Sequence, residues 1–162
     1  MIQKKICMLG GFGVGKTSLV SRFVHSMFSD KYLTTVGVKI EKKSVDLGTQ
    51  QVDLIVWDIH GEDNFQKVRM SYLRGAAGYL LVVDGTRRST LETALALHEI
   101  VEKTIGKVPF IVLFNKADLV SQWEVDESTL LRVGFRVIRT SAKTGADVDK
   151  AFDELARALI GG

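Results

Sequence analysis

The feature that most constrains the fold is a glycine-rich segment near the start of the chain. Residues 10–17 read Gly-Gly-Phe-Gly-Val-Gly-Lys-Thr, which satisfies the pattern GxxxxGK[ST]. The segment follows an apolar run at residues 5–9, and it precedes residues 16–26, whose apolar side chains recur at helical spacing. A strand, a glycine loop and a helix in this order predict a loop whose backbone N–H groups surround a phosphate at the positive end of a helix.

The side chains of this segment add chemistry to the backbone cradle. Lys16 can bridge the outer phosphates and is a candidate catalytic residue, and the hydroxyl of Thr17 can ligate Mg²⁺. The other predicted nucleotide-binding residues here are Gly10, Gly13, Val14, Gly15 and Ser18. The alternative is a glycine-rich turn that precedes a lysine by chance, which the flanking strand and helix disfavour.

Short apolar runs alternate with amphipathic stretches along the rest of the chain, a pattern typical of an α/β fold with a mainly parallel sheet. Six strands and five helices are predicted. The strands lie at residues 5–9, 38–47, 51–57, 78–83, 108–114 and 135–140. Residues 38–47 and 51–57 flank a turn at Gly48, which predicts an antiparallel hairpin with its lysine-rich first strand at the sheet edge. A helix at residues 90–104 is expected to turn four side chains inward, those of Leu91, Leu95, Leu97 and Ile100.

A second motif, Asn115-Lys116-Ala117-Asp118, follows the strand at 108–114 and indicates which base is bound. Guanine presents N1–H and a 2-amino group side by side, and the carboxylate of Asp118 can accept from both donors. Adenine presents an acceptor at that edge, so the same carboxylate repels it. Asn115 can brace the phosphate loop, and the stem of Lys116 can lie along the base. The last strand is followed directly by Ser141, Ala142 and Lys143, which can complete the pocket, with the Ala142 N–H reaching the guanine O6.

A third group of residues is expected to serve the metal and the γ-phosphate. Asp58 follows the strand at 51–57, where its carboxylate can hold Mg²⁺ directly or through water. Gly61, three residues on, allows its N–H to approach the γ-phosphate. Thr35 offers a hydroxyl for the same metal. An ordinary turn after a strand is the alternative for Asp58 and Gly61.

Composition bounds the remaining possibilities. The chain has 162 residues, 46% of them hydrophobic, which suits a single domain over residues 1–162. The one cysteine excludes an internal disulfide, and the apolar runs are too short for a membrane span, so a cytoplasmic protein is expected. The net charge of +3 is spread along the chain and gives no strong nucleic-acid signal. Two other functions for a phosphate-loop protein are weaker alternatives. A GTPase associated with nucleic acid would rest on the net charge alone, and a P-loop kinase is disfavoured by the guanine motif.

The three motifs together resemble the Ras superfamily of small GTPases over residues 4–160, and the segments Tyr-Leu-Thr-Thr-Val-Gly-Val (32–38) and Ser-Tyr-Leu-Arg-Gly-Ala (71–76) look most like the Rab branch. The resemblance implies the P-loop NTPase fold, a six-stranded sheet with one antiparallel edge strand, about five helices, and GTP or GDP with Mg²⁺. It also implies switch segments at about 29–38 and 59–74, with Thr35 as a Mg²⁺ ligand. Phe28 matches the aromatic residue that packs against the guanine edge. Effector, exchange-factor and activating proteins are the implied partners, bound by a monomer.

The second switch segment departs from the family pattern. The usual DTAGQE is here Asp58-Ile59-His60-Gly61-Glu62-Asp63, so Glu62 replaces the glutamine that orients the attacking water. A carboxylate cannot donate to the phosphate and adds negative charge beside it, which predicts hydrolysis at or below ~10⁻⁴ s⁻¹. Lys16, Gly61, Glu62 and His60 are the candidate catalytic residues, with a solvated or packed side chain as the alternative for His60. A hydrolysis-deficient, GTP-bound scaffold and the GTPase domain of a larger protein are the alternative functions.

Two further departures concern partners. Phe12 places a bulky side chain inside the phosphate loop, where it can obstruct an arginine supplied by an activating protein. No cysteine follows Cys7, so the chain carries no prenylation site, and peripheral membrane association would need sequence or partners outside it. Arg87 and Arg88 follow a strand end and are interpreted as part of a solvated loop, with a partner contact as the alternative. His98 is interpreted as an ordinary surface or core histidine.

Overall fold

A computed structural model describes residues 2–25, 38–59 and 70–161. The described residues form one six-stranded sheet in the order β2-β3-β1-β4-β5-β6. The strands are β1 (Ile2–Gly10), β2 (Val38–Asp46), β3 (Gln51–Ile59), β4 (Gly78–Asp84), β5 (Phe110–Asn115) and β6 (Val137–Arg139). The pair β2–β3 is antiparallel and all other neighbours are parallel. The predicted sheet, including its antiparallel edge strand, is therefore confirmed.

The helices are α1 (Lys16–His25), α2 (Met70–Leu73), α3 (Arg88–Ile105), α4 (Ser128–Arg132) and α5 (Val148–Ile160). A 3-10 helix, Ala117–Gln122, was not predicted, and it begins within the guanine motif. The predicted boundaries of the last two strands are too wide. β5 begins after Pro109, which has no N–H for the sheet and whose carbonyl accepts from the Tyr79 N–H over 3.2 Å. β6 is only three residues long.

Two hydrophobic cores cover the two faces of the sheet. On one face α1 and α5 pack together, with the rings of Phe23 and Phe152 stacked 3.8 Å apart. On the other face α3 packs against the buried strand β4. The buried residues of α3 are Thr90, Ala94, Leu97, His98 and Val101.

The predicted inward stripe of α3 is thus confirmed for three of its four members, because Leu97 is buried and Leu91 and Leu95 are partly buried and pack against this core. Ile100 is only partly buried. Two polar side chains occupy the buried stripe, because each finds a hydrogen-bond partner there. Thr90 accepts from the Asp84 N–H over 2.9 Å, and His98 pairs with the Tyr79 hydroxyl at 2.7 Å. A pattern that counts only apolar residues misses these two positions. His98 is a core histidine, which is one of the two alternatives considered for it above.

The parallel strands carry the chemistry-bearing residues to one edge of the sheet. Gly10 ends β1 and pairs in register with Val82 of β4, and Asp84 pairs with Asn115 of β5. The carboxyl ends of parallel strands meet at one edge, which is where α/β folds bind ligands. Within the described ranges, no helix is long and apolar enough to cross a membrane.

Candidate functional site

The phosphate loop has a backbone conformation that favours glycine at two of its positions. Gly13 and Gly15 have φ angles of +74° and +101°, in the region that residues with a Cβ rarely adopt. A Cβ at Gly15 would lie 2.3 Å from the Nδ2 of Asn115. The glycine therefore allows the base motif on β5 to approach the loop closely.

Side chains from several elements bind the carbonyl oxygens of this loop. The Nζ of Lys16 donates to the carbonyls of Gly10 (2.9 Å) and Gly11 (3.1 Å), and the lysine is only 7% exposed. The Nδ2 of Asn115 donates to the Val14 carbonyl over 2.9 Å. With these carbonyls engaged by protein donors, the loop's amides are the groups left to bind an anion.

Thr17 and Asp58 place two oxygen groups that could ligate a metal next to each other at the end of the loop. The Thr17 hydroxyl donates to the Oδ2 of Asp58 over 2.7 Å, and Asp58 is fully buried at the end of β3. One hydroxyl and one carboxylate are hard donors of the kind Mg²⁺ prefers, and Mg²⁺ usually keeps phosphate oxygens and waters as its other ligands. No cluster of three His, Cys, Asp or Glu side chains suited to a metal occurs in the described part of the chain. This donor set fits a nucleotide-bound Mg²⁺.

The base-reading loops come from β5 and β6 and are held together by hydrogen bonds. The Oδ1 of Asn115 accepts from the Thr140 hydroxyl (3.2 Å) and from the Ala142 N–H (3.3 Å). The Ser141 hydroxyl donates to the Oδ1 of Asp118 over 2.7 Å. Ser141 thus orients the carboxylate that is predicted to read guanine, while its own oxygen accepts from the Thr144 N–H over 3.1 Å.

Lys116 has a backbone conformation that is unusual for a residue with a side chain. Its φ and ψ are 68° and 40°, in the left-handed helical region. The indole Nε1 of Trp123 donates to the Lys116 carbonyl over 3.0 Å, and the Lys116 Nζ lies 2.7 Å from the Oδ2 of Asp84. Both ends of this residue are therefore fixed by partners outside the motif.

Asp84, at the end of β4, is a buried charge in the site that the sequence did not reveal. It is 0% exposed. Burial alone would raise the pKa of the Asp84 carboxyl, but hydrogen bonds from Lys116, Thr86 and Arg87 lower it below its usual range. The carboxylate therefore stays ionised and can hold cationic partners on two sides.

Two arginines also serve the site. Arg87 lies in a partly solvated loop, as interpreted, but it also has partners within the chain: its Nε lies 3.0 Å from Asp84 Oδ2, and its Nη2 donates to the Phe12 carbonyl over 2.6 Å. Its neighbour Arg88 is exposed. Arg22 of α1 donates through Nε to the Ala142 carbonyl over 2.9 Å and through Nη2 to the Lys143 carbonyl. The only sequence signal for Arg87 is its place three positions after the end of β4, and Arg22, within α1, has no comparable signal.

The structure thus brings the phosphate loop, Asp58 and both base-reading loops to one edge of the sheet. Ser18 lies in the first turn of α1, and Lys143 is exposed beside Arg22. Five predicted site residues lie outside the described residues: Phe28, Thr35, His60, Gly61 and Glu62.

A phosphate loop, a β3 carboxylate and an Asn-Lys-x-Asp loop at the carboxyl edge of this sheet define the class of nucleotide-binding P-loop proteins. The model of the Ras family matches residues 5–161. Among relatives, the Ras-related protein Rab-13 of Canis lupus familiaris is 33% identical, over 96% of this chain and 79% of its own length. Ras-related protein Rab-8B of Homo sapiens and the GTP-binding protein ypt2 of Schizosaccharomyces pombe are each 30% identical over 96% of this chain, covering 78% and 80% of their own lengths.

The chain therefore belongs to the Ras family, as a small GTPase of the Rab branch. Membership confirms the predicted function: a GTP-binding switch that hydrolyses GTP to GDP and binds these nucleotides with Mg²⁺. It also supports interactions with regulator and effector proteins in general. The hydrolysis-deficient scaffold considered above is not favoured.

Proposed function

We propose that the switch is slow without a partner, and that the residues assembled at the sheet edge hold its nucleotide. The observation that carries the proposed nucleotide site is the position of Asn115. Its Nδ2 donates to the phosphate loop at Val14, and its Oδ1 accepts from Thr140 and Ala142 next to the second base-reading loop. One buried amide thus joins the loop that binds phosphate to the loops that read the base, as a single nucleotide would require.

Each group has a role that follows from its chemistry. Lys16 stabilises negative charge on the outer phosphates, together with the amides of residues 10–18, including those of Gly13, Val14, Gly15 and Ser18. Asp118 accepts from guanine N1–H and the 2-amino group, and Ala142, Ser141 and Lys143 close the pocket around O6, with Phe28 against the base edge. Thr17 and Thr35 hold Mg²⁺ with Asp58 assisting. Bound Mg²⁺ supplies charge neutralisation at the β- and γ-phosphates.

Glu62 is the residue that makes intrinsic hydrolysis slow. It occupies the position from which family members orient the attacking water, while the Gly61 N–H serves the γ-phosphate. A carboxylate can accept from water but cannot donate to a phosphate oxygen, and its charge opposes the developing charge of the transition state. The imidazole of His60 is a second candidate for contact with the water.

The partners act through the two switch segments, at about residues 29–38 and 59–74. Effectors bind the GTP form, exchange factors release GDP, and the Phe12 side chain, 54% exposed, hinders an arginine offered by a conventional activating protein. We place the protein in the cytoplasm as a monomer.

The test is single-turnover hydrolysis of GTP with Mg²⁺ by the wild type, Glu62→Gln and His60→Ala. We expect the wild type to bind GTP and not ATP and to hydrolyse at or below ~10⁻⁴ s⁻¹. Glu62→Gln should hydrolyse about tenfold faster, because the amide restores a donor and removes a charge. Wild-type hydrolysis that is lost in Glu62→Gln would contradict this role, and a loss in His60→Ala would assign the water-orienting role to the imidazole.

A further inference from the structure

We propose that Arg87 is a positioning residue for the bound nucleotide, because it ties the centre of the phosphate loop to the carboxylate that also holds the base-reading loop. The inference rests on the proposed function of these loops. It concerns a residue outside every motif that defines the site, three positions beyond the end of β4.

The guanidinium makes two contacts in different directions. Its Nη2 donates to the carbonyl of Phe12 over 2.6 Å, and its Nε lies 3.0 Å from the Oδ2 of Asp84. Two nitrogens held in one plane fix the distance between their two acceptors. Arg87 therefore sets the position of residue 12 relative to the end of β4.

The carboxylate end of this bridge is rigid. Asp84 is fully buried, and its Oδ1 accepts from the N–H (2.9 Å) and the hydroxyl (2.7 Å) of Thr86. The Nζ of Lys116 lies 2.7 Å from Oδ2, the same oxygen that Arg87 contacts. A displacement of the phosphate loop at Phe12 is thus transmitted through one oxygen to the base motif.

The other end of the bridge is Phe12, which lies in an exposed part of the phosphate loop. The Phe12 side chain is 54% exposed, whereas Val14 is fully buried. Lys16 binds the carbonyls of residues 10 and 11, and Asn115 binds that of residue 14. Arg87 binds the carbonyl between them. Its contact keeps the central amides of the loop in a fixed arrangement, which lowers the cost of ordering them around phosphate.

The experiment measures dissociation of a fluorescent GDP analogue from the purified wild type and from Arg87→Ala, Arg87→Lys and Arg88→Ala, in the presence of excess GDP and Mg²⁺. Arg87→Ala should release the analogue about tenfold faster. A larger change is not expected, because the bridge is partly exposed and water weakens its contacts. Arg88→Ala removes the same charge from the next residue and should leave the rate unchanged. Arg87→Lys keeps the charge but has one ammonium group in place of the planar fork, and it should release the analogue as Arg87→Ala does.

A spectroscopic readout separates positioning from a general loss of stability. The ³¹P resonance of the GDP β-phosphate reports the amides around it, so it should shift in Arg87→Ala and stay in place in Arg88→Ala. Wild-type dissociation and an unshifted resonance in Arg87→Ala would overturn the inference, and so would wild-type behaviour of Arg87→Lys, which would reduce the role to charge. If the wild type itself fails to hold GDP, the proposed function fails first and the inference with it.

Discussion

The phosphate loop and the base-reading loops, which we propose bind two ends of one nucleotide, are built differently. The phosphate loop is one run of residues, 10–17, in which the backbone is proposed to supply the binding groups. Its carbonyls are held by its own Lys16 and by two distant side chains, Asn115 and Arg87. The base-reading loops come from two segments, 115–118 and 141–143, in which a side chain reads the base. There the functional carboxylate of Asp118 is itself held by a side chain, Ser141.

This difference decides which kind of substitution damages each region. A site made of backbone amides depends on conformation and on close approach, so an added methyl group is enough to disrupt it. A site made of side-chain donors and acceptors depends on the chemistry of the group, so an isosteric change of oxygen to nitrogen is enough to change what it binds. The predictions below test the two regions separately.

The largest effect is expected from Gly15→Ala. Its φ of +101° strains any residue with a Cβ, and that Cβ would lie 2.3 Å from Asn115 Nδ2, so the loop or the base motif has to move. Affinity for GDP should fall about 100-fold or more. The affinities for GTP and for ITP, which has a different base, should fall by the same factor, as measured by competition binding.

Gly48→Ala is the matched control for strain alone. Gly48 also has a positive φ, +90°, but it lies in the exposed turn between β2 and β3, and a Cβ there meets nothing within 4 Å. It should lower the free energy of unfolding by about 1 kcal/mol and leave nucleotide affinity unchanged. An equal loss of GDP binding in the two variants would mean that the close approach at Gly15 is irrelevant.

Asp118→Asn should change base selection with little effect on phosphate binding. The asparagine amide can no longer accept from both guanine donors, but its oxygen can accept from N1–H while its nitrogen donates to a carbonyl at position 2. Xanthine has that carbonyl. Affinity for GTP should fall about 100-fold, and affinity for XTP should exceed that for GTP, in a competition assay with both nucleotides.

Asp126→Asn is the control for the base switch. Asp126 lies further along the same connection and its Oδ1 accepts from the Ser128 N–H over 2.8 Å, so the substitution removes the same charge away from the site. Its preference for GTP over XTP should match that of the wild type. A variant Asp118→Asn that kept this preference would show that another group reads the base.

The sheet and the positions of the motifs followed from the sequence for a physical reason. Glycines at fixed spacing, and polar residues directly after apolar strands, are local patterns, and the parallel arrangement brings strand ends together at one edge. The edge strand β2 was likewise predicted from its lysines and its turn. Pattern alone was sufficient because each of these features depends on neighbours in the chain.

The contact of Asn115 with the phosphate loop was expected from its motif, but the two arginine braces of the site did not follow from the sequence, because each depends on a distant pairing. Arg22 contacts a loop that lies 120 residues away in the chain, and Arg87 contacts one 75 residues away. An arginine near a strand end has the same local pattern whether it faces water or a carbonyl. The burial of Thr90 and His98 on α3 did not follow from the sequence for the same reason, since each is paired with a residue of β4.

The smallest effect is expected from Trp123→Phe, which removes one brace from the base-reading loop. The phenyl ring can still pack near Phe114, but the donor to the Lys116 carbonyl is lost, and with it a contact that holds a left-handed residue in place. Dissociation of GDP should become about threefold faster. The β-phosphate ³¹P resonance should not move, since the phosphate loop keeps its own contacts.

Trp57→Phe provides the comparison for this last variant. Trp57 lies on β3, where the ammonium of Lys5 is 3.6 Å from its ring centroid, so Trp57→Phe makes the same change of ring in a different element. Its GDP dissociation should equal that of the wild type. If instead Trp123→Phe moved the phosphate resonance as far as Arg87→Ala does, the two regions would share one set of braces, and the division between backbone-built and side-chain-built loops would not hold.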